Sequence, residues 1–377
     1  MRVVFDARHL QTVSRTRGIG RYSRNLLAAF AQRAPTDMDW TLLTLANFPR
    51  ADLTPLPPHR IRATLRLRRP ELTMLVLDPL LLPFELAGQG DLYHSVQLGL
   101  PARSRMPVVL TIHDLAPLRW PKHYLRLPYA ALGHAWQYTL AKRADAIIAV
   151  SEATKADVVA RLHVPPERIR VIPEAVDASF DPPSHENGSS VARERFGVRG
   201  RYVLYVGQFD PRKNMAGLFA AFARAAERDG DLRLVVVGTL GRLAPLMRSA
   251  LDASRLDRAR VIITGEVDDA TLAALYAGAE CLLHAAWLEG FGLTALESLA
   301  AGTPVVAYRA GAVAEVVGDS GVLVDERDPA ALGEALTTVL GDDALRSRLR
   351  ALAKPRAAGF SWDRAADDTL AVYRSVG

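Results

Sequence analysis

The segment from Glu289 to Ala307, EGFGLTALESLAAGTPVVA, constrains the fold more than any other part of the chain. An apolar run that ends at His284 precedes it, and it closes with the apolar run Thr303–Ala307; both have the length of buried strands. Residues Leu293–Ala301 between these runs are mostly helix formers. A strand, a helix and a second buried strand in succession predict a βαβ unit of a parallel sheet.

The same segment places two carboxylates around a candidate anion site. Glu289 lies on the loop after the first strand, and Glu297 lies about one turn inside the helix. The N–H groups in the first turn of that helix point back into the loop, which favours an anion there. A nucleotide sugar, with a diphosphate between two groups of hydroxyls, has the matching shape. The alternative is an ordinary βαβ unit whose glutamates are solvated.

A second charged group follows the predicted strand that ends at Gly207. Arg212 and Lys213 stand where the next helix begins, so the helix dipole adds to their positive charge. This pattern indicates a phosphate site, and solvated surface charges are the alternative.

Four motifs spread along the chain resemble one known family. They are GIGRY at 18–22, TIHD at 111–114, DPRKN at 210–214, and E-G-F-G-x4-E with the trailing AGTPVVA at 289–307. Together they resemble the retaining GT-B glycosyltransferases of the family-four type, which carry an E-x7-E motif, and most of all the bacterial mannosyltransferases of polysaccharide assembly. The resemblance implies an α/β fold of two doubly wound, Rossmann-like parallel-sheet lobes facing a cleft.

The activity implied by the resemblance is a retaining, metal-independent transfer of a hexose from a nucleoside diphosphate sugar. The acceptor would be a hydroxyl of a saccharide or of a lipid-linked molecule, and the expected donor is GDP-mannose. No cofactor and no nucleic acid are expected, because the nucleotide sugar is itself the substrate.

The resemblance also implies roles for individual residues. Glu297 is expected to hold the ribose hydroxyls, Glu289 the sugar hydroxyls, and Arg212 with Lys213 the departing diphosphate. His113 is expected to reach the donor sugar, with a hydrogen-bonded core histidine as the alternative. Gln208 stands where the family has an arginine, and Arg212 is a candidate substitute for it. The remaining expected donor-binding residues are Gly18, Gly20, Arg21, Gly207, Val267, Gly290, Phe291, Gly292, Leu293 and Thr294.

The length of 377 residues and a loop-like stretch near the midpoint predict two domains. The expected division is an acceptor-binding lobe at 1–180, a linker at 181–199 and a nucleotide-sugar lobe at 200–358. A terminal helix at 359–377 is expected to cross back to the first lobe.

The charge is distributed unevenly between the halves of the chain. Residues 1–172 carry a formal net charge of +11 and residues 173–377 carry −5. Basic and apolar residues alternate from Arg60 to Arg69, next to the apolar segment Leu72–Ala87. This pattern indicates either the solvated face of a strand or a surface that docks on anionic lipid. Charged residues and prolines interrupt Leu72–Ala87, so it is not expected to span a membrane.

The single cysteine, Cys281, lies in an apolar run and favours a reducing compartment. The expected location is therefore the cytoplasm. The inner face of the membrane is the alternative if the acceptor is lipid-linked.

Two other classes of enzyme compete with the transferase. One is a GT-B epimerase that acts on the nucleotide sugar itself. The other is a nicotinamide-dependent oxidoreductase, suggested by the Gly18-x-Gly20-x-x-Ser23 turn, although about ten residues separate this turn from the preceding strand. The triplet Asp37-Met38-Asp39 resembles a metal motif, but its position between a helix and a strand favours a turn.

Overall fold

The structure is a computed structural model that describes residues 1–16, 18–48, 59–65, 70–177, 179–238, 244–254, 256–325 and 327–377. Within these ranges the chain forms two compact units. The first unit comprises Met1–Glu174 and Ser361–Gly377, and the second comprises Ala175–Phe360.

The first unit is built on a seven-stranded sheet in which all neighbouring strands are parallel. In chain order its strands are β1 (Arg2–Asp6), β2 (Asp39–Leu45), β3 (His59–Thr64), β4 (Leu92–Ser95), β5 (Val108–Ile112), β6 (Ala146–Ala149) and β7 (Ile169–Val171). Across the sheet the order is β3-β2-β1-β4-β5-β6-β7. The direction of winding therefore reverses between β1 and β4, and ligands of such sheets bind outside the carboxyl ends of the strands at this point.

The helices of the first unit lie in the connections between these strands and at the carboxyl terminus. They are α1 (Gly18–Arg33), α2 (Pro70–Glu85), α3 (Ala116–Arg119), α4 (Pro121–Tyr124), α5 (Pro128–Ala141), α6 (Glu152–Leu162) and α15 (Trp362–Val376). Helix α15 packs against α1, where Arg33 pairs with Asp363 at 2.8 Å and with Asp367. The ring of Tyr373 lies 6.0 Å from that of Phe30.

The second unit has a six-stranded parallel sheet in the order β10-β9-β8-β11-β12-β13. Its strands are β8 (Tyr202–Val206), β9 (Arg233–Val237), β10 (Val261–Gly265), β11 (Cys281–His284), β12 (Val305–Tyr308) and β13 (Gly321–Val324). Its helices are α7 (His185–Phe196), α8 (Met215–Ala226), α9 (Ala244–Ala253), α10 (Asp269–Gly278), α11 (Leu293–Ala300), α12 (Val313–Val317), α13 (Pro329–Gly341) and α14 (Asp343–Ala357). Here the winding reverses between β8 and β11, so the loops after these two strands frame the ligand position.

Burial on both faces explains why the central strands are apolar runs without alternation. Leu204, Val235, Leu283 and Val306 in the second sheet are fully buried. Parallel strands covered by helices on both sides require such composition, which is the pattern that predicted the α/β class.

The segment expected to be a linker, 181–199, contains helix α7 instead of an irregular connection. Ser184 caps this helix by accepting from Asn187 N at 3.3 Å, and α7 packs against α10 within the second unit. A Cβ on Gly188 would lie 2.6 Å from Gly278 N, so two glycines allow the helices this close approach. The division of the chain falls earlier than expected, after Glu174.

The basic and apolar segments singled out in the first unit adopt different structures. Strand β3 is at the sheet edge and exposes Arg60, Ile61 and Arg62, whereas residues 66–69 lie outside the described ranges. The apolar segment forms α2, which contains Pro79 and Pro83. Over the described part of the chain, no helix is long and apolar enough to cross a membrane.

A buried cluster of three charges lies at the carboxyl end of β1. The Arg8 guanidinium donates to Asp6 at 2.7 and 2.8 Å and to Asp78 at 2.7 and 3.0 Å, and all three side chains are fully buried. Burial raises the pKa of the Asp6 carboxyl, but Arg8 outweighs burial and holds this pKa below its ordinary value. The cluster ties α2 to the end of β1.

Candidate functional site

The two charged groups predicted in the second half of the chain meet at the switch point of the second sheet. Lys213, in the turn after β8, forms a buried ion pair through Nζ with Oε1 of Glu289, in the loop after β11. Trp287 N in the second loop donates to Arg212 O in the first at 2.8 Å. Because β8 and β11 are neighbours, loops far apart in sequence form one site.

Glu289 is held ionised by its surroundings. Besides Lys213, His284 Nε2 lies 3.0 Å from the same oxygen, Oε1. Burial alone would raise the pKa of this carboxyl, but Lys213, then His284 and Arg212, outweigh burial and hold the pKa far below the ordinary range. The carboxylate can therefore act as a hydrogen-bond acceptor at any physiological pH.

A buried turn follows Glu289, formed by Gly290, Phe291 and Gly292. Gly292 has φ +98°, a conformation that glycine adopts readily, and it stands immediately before α11. Having no side chain, Gly292 cannot cap the helix, so the first-turn N–H groups around Leu293 and Thr294 remain directed into the loop. This arrangement agrees with the anion site expected from the sequence.

Glu297, the second glutamate of the E-x7-E motif, is also buried. It accepts a hydrogen bond of 2.8 Å at Oε2 from the hydroxyl of Tyr276, on α10. The sequence did not indicate Tyr276, because the tyrosine lies in a helix whose residues from Thr271 to Gly278 are all buried. Tyr276 thus orients this carboxylate, whose expected contact with the ribose stays a prediction.

Gly311 packs against the backbone of Glu289, and its replacement tests whether this contact supports the loop. Gly311 has φ +59°, and a Cβ there would lie 2.3 Å from Glu289 O, which also accepts from Ala312 N at 3.1 Å. We expect Gly311→Ala to lower sugar transfer. It should also lower the free energy of unfolding by about 1 kcal/mol or more, which is measured as a lower melting temperature. Gly341→Ala is the control, because a Cβ on Gly341 meets nothing within 4 Å. Equal behaviour of the two variants would contradict a supporting role.

Arg212 and Gln208 occupy the positions expected from the sequence on the loop after β8. Arg212 Nε lies 3.6 Å from Asp210 Oδ1, and Arg212 N donates to the same oxygen at 3.0 Å. A Cβ on Gly207, the first residue of this loop, would lie 2.9 Å from the buried hydroxyl of Tyr205. The loop therefore carries two cations and one closely packed glycine.

Val267 is half-buried in the loop between β10 and α10. The next residue, Asp268, caps α10 by accepting from Thr271 N at 2.8 Å and also pairs with Arg195 at 3.2 Å. The hydrogen bonds from Thr271, with that from Arg195, lower the pKa of Asp268 to about 2. Asp268 thus acts as the N-cap of α10, as expected, and also as the ion-pair partner of Arg195.

In the first unit, Gly18, Gly20 and Arg21 stand at the start of α1. A Cβ on Gly20 would lie 2.4 Å from the carbonyl oxygens of both Ser14 and Arg15, so this glycine is required by the preceding loop. Two 3-10 turns, Arg8–Gln11 and Val13–Thr16, separate β1 from α1. In a dinucleotide-binding fold the glycine turn follows its strand directly. The two intervening 3-10 turns therefore argue against the nicotinamide alternative, which depended on this turn.

His113 follows β5 and has both a partner and an open nitrogen. His113 Nδ1 lies 3.0 Å from Glu174 Oε1, and the Tyr22 ring meets the imidazole edge-on at 4.8 Å. Its Nε2 is buried and has no hydrogen-bond partner in the part of the chain that the structure describes. Such a nitrogen is suited to a ligand hydroxyl, because an unpaired buried polar atom is costly. The contact with the donor sugar that the resemblance implies stays a prediction.

His9 is a site candidate that the sequence reading did not identify. It lies in the 3-10 turn Arg8–Gln11 after β1 and is fully buried, and neither ring nitrogen has a hydrogen-bond partner within the described ranges. Its place after the carboxyl end of β1, a strand of the switch point, was the available signal. The nearby His94 differs, since it bonds Thr111 Oγ1 at 2.8 Å and the Tyr373 hydroxyl at 2.5 Å.

These two buried histidines predict acid sensitivity. Burial lowers the pKa of His9 to about 4 and that of His94 to about 3, although the negative charge of Asp6 opposes the shift at both histidines. The unfolded chain, with ordinary values near 6.5, binds protons first, so stability falls as pH drops from about 6.5 towards 4. Between pH 7 and pH 5 we expect a loss of about 4 kcal/mol in urea denaturation. His9→Phe should remove about half of this pH dependence; an unchanged dependence would contradict the assignment.

Two doubly wound parallel sheets, each with polar groups at the carboxyl ends of its switch-point strands, define a protein of the GT-B class. The chain matches the model of glycosyl transferases group 1 over residues 190–356 and that of glycosyltransferase family 4 over residues 16–180. It belongs to this glycosyltransferase family and is therefore an enzyme that transfers a sugar.

Individual proteins agree with this assignment. D-inositol 3-phosphate glycosyltransferase of Salinispora arenicola is 34% identical over 311 residues, which cover 76% of this chain and 69% of that protein. O-antigen chain mannosyltransferase B of Escherichia coli is 27% identical over 285 residues, covering 75% and 74%. Sucrose-phosphate synthase from Thermosynechococcus elongatus has the same fold, with a TM-score of 0.80 and 22% identity over 100% of this chain and 98% of that one.

Proposed function

We propose that this glycosyltransferase moves a hexose, mannose from GDP-mannose, to a hydroxyl of a saccharide or lipid-linked acceptor, with retention of configuration. The observation that supports this most strongly is the buried Lys213–Glu289 pair at the start of α11. It places a cation, a carboxylate and helix N–H groups within one loop pair. These are the groups that a diphosphate and the adjoining sugar hydroxyls require.

In this proposal each residue acts on one part of the donor. Glu297 accepts from the ribose hydroxyls, and Glu289 accepts from hydroxyls of the sugar ring. Lys213, Arg212 and the start of α11 stabilise the charge that develops on the departing diphosphate. Preorganised donors aimed at developing charge are usually the largest catalytic contribution, and two cations with a helix terminus supply it without a metal ion.

The proposed step breaks the bond between the anomeric carbon and the diphosphate oxygen. The acceptor oxygen forms its bond to that carbon on the same face, and its proton passes to the leaving phosphate. In this proposal the Glu289 carboxylate is held by His284 and accepts from hydroxyls of the sugar ring, which favours this step over covalent attack by the carboxylate. Proton NMR of the product tests it, since an α-linked donor must give an α-linked product; a β-linked product would disprove retention.

The choice of mannose and guanine is supported by the mannosyltransferase among the relatives and by the DPRKN form of the phosphate loop. A thermal-shift panel of GDP, UDP and ADP with their sugars tests it. Ligand at 100 times its dissociation constant stabilises a protein by about 2.7 kcal/mol, so the correct base should separate clearly from the others. Stabilisation by UDP-glucose alone would mean that the donor is UDP-glucose and not GDP-mannose. No stabilisation by any of these ligands at millimolar levels would count against the whole proposal.

Lipid docking by the first unit is part of the same proposal, and it applies if the acceptor is lipid-linked. Helix α2 exposes Leu80 and Phe84, and the start of α5 exposes Leu132; Phe84 is 80% and Leu132 is 71% exposed. The two helices pack together, since Gln137 on α5 donates to Leu75 O on α2 at 3.2 Å. Large apolar side chains on a unit with excess positive charge suit an anionic membrane surface.

Vesicle sedimentation tests this docking. Wild-type protein should bind phosphatidylglycerol vesicles and not phosphatidylcholine vesicles, and Phe84→Ser with Leu132→Ser should abolish binding while sugar transfer to a water-soluble acceptor persists. Leu352→Ser is a matched control, because Leu352 is also exposed but lies in the second unit. Equal binding by all proteins would disprove the surface.

A further inference from the structure

His284 is the last residue of β11 and is almost fully buried beside Glu289. Its Nε2 lies 3.0 Å from Glu289 Oε1. An ionised carboxylate can only accept a hydrogen bond, so the ring donates from Nε2. Its other nitrogen, Nδ1, is buried and has no hydrogen-bond partner in the described chain. The side chain therefore has one polar contact in the structure, and that contact is with Glu289.

Lys213 and His284 converge on the same carboxylate oxygen. Lys213 Nζ and His284 Nε2 both donate to Oε1 of Glu289. The two donors reach it from different elements, Lys213 from the turn after β8 and His284 from the end of β11. Glu289 thus keeps one partner if the other moves away.

A donor diphosphate would compete with Glu289 for Lys213. The phosphate carries more negative charge than the carboxylate, so it attracts the ammonium more strongly. Withdrawal of the lysine would leave a buried carboxylate without a partner, unless a second donor holds it. The His284 imidazole meets this need, because its Nε2 already lies 3.0 Å from the same carboxylate oxygen.

We propose that Lys213 exchanges Glu289 for the diphosphate when the donor binds, and that His284 is the positioning residue that holds Glu289 during this exchange. This inference rests on the proposed function, because it takes the donor to be a nucleoside diphosphate sugar. It also accounts for a histidine at the end of an otherwise apolar buried strand.

Three substitutions separate positioning from packing. His284→Leu removes the donor, whereas His284→Gln keeps an N–H group near the place of Nε2. His284→Asn places its amide near Nδ1 instead and serves as the matched control. We expect His284→Leu and His284→Asn to weaken GDP binding about tenfold, because Lys213 then stays on Glu289, and to reduce kcat. His284→Gln should recover most of both.

The binding of guanosine, which lacks phosphates, distinguishes exchange from a general defect. Guanosine affinity should be the same in all four proteins, measured by calorimetry on samples with matched melting curves. Equal loss of guanosine and GDP binding, or no rescue by His284→Gln, would overturn the exchange. UDP and uridine replace these probes if the panel selects uracil. If the wild type binds no nucleoside diphosphate, the proposed function fails as well; if it binds and the variants match it, only the exchange fails.

Discussion

Replacing Glu289 by glutamine should reduce sugar transfer by about 10²- to 10³-fold while leaving the protein folded. Glutamine keeps one carbonyl oxygen for Lys213 and His284, which both bind Oε1 in the wild type. It removes the negative charge that a sugar hydroxyl and the developing positive charge at the anomeric carbon require. The measurement is kcat under saturating donor, with circular dichroism as a check on folding.

The contrast with alanine at the same position separates catalysis from stability. Glu289→Ala leaves the ammonium of Lys213 without its carboxylate at a site where the Lys213 side chain is only 13% exposed. Breaking a buried pair by removing one partner costs about 3–5 kcal/mol, so this variant should lose both activity and stability. If Glu289→Gln retained normal transfer, Glu289 would have no role beyond structure.

Replacing Arg8 by leucine should destabilise the first unit by about 3–5 kcal/mol. The substitution leaves the buried carboxylates of Asp6 and Asp78 without the guanidinium that bonds both. The expected loss corresponds to a fall of about 10 °C in the melting temperature, measured by calorimetry or by urea denaturation.

Two further variants make this expectation specific. Arg2→Leu breaks the Arg2–Asp91 pair at 2.9 Å, whose side chains are 44% and 47% exposed, and should cost less than about 1 kcal/mol. Combining Arg8→Leu with Asp6→Asn and Asp78→Asn removes the unpaired charges and should recover part of the loss. Equal costs for Arg8→Leu and Arg2→Leu would show that the cluster contributes no more than a surface pair.

Local features of the site could be predicted from the sequence because they lie within contiguous residues. The loop and helix between Glu289 and Glu297, and the cations after Gly207, follow from strand ends, glycines and helix formers read in order. The structure places both groups where expected, at carboxyl ends of strands. What remained hidden was that Lys213 and Glu289, 76 positions apart, bond each other.

Packing decided the features that the sequence reading missed. Composition in 181–199 indicated a linker, but contact with α10 stabilises α7 there. Local propensity is a weak guide when a tertiary surface is available for burial. His284 and Tyr276 were hidden for a related reason, since each lies in a run of buried residues that is typical of a core.

The sequence by itself determined the parallel α/β class, the family resemblance and the two ends of the candidate donor site, because each depends on neighbours in the chain. Only the tertiary structure decided which charges meet. Strand order in a sheet differs from chain order, so β8 lies beside β11 and brings Lys213 to Glu289 and His284. The motif from Glu289 to Ala307 therefore supplies one side of a site whose other side comes from the loop after β8.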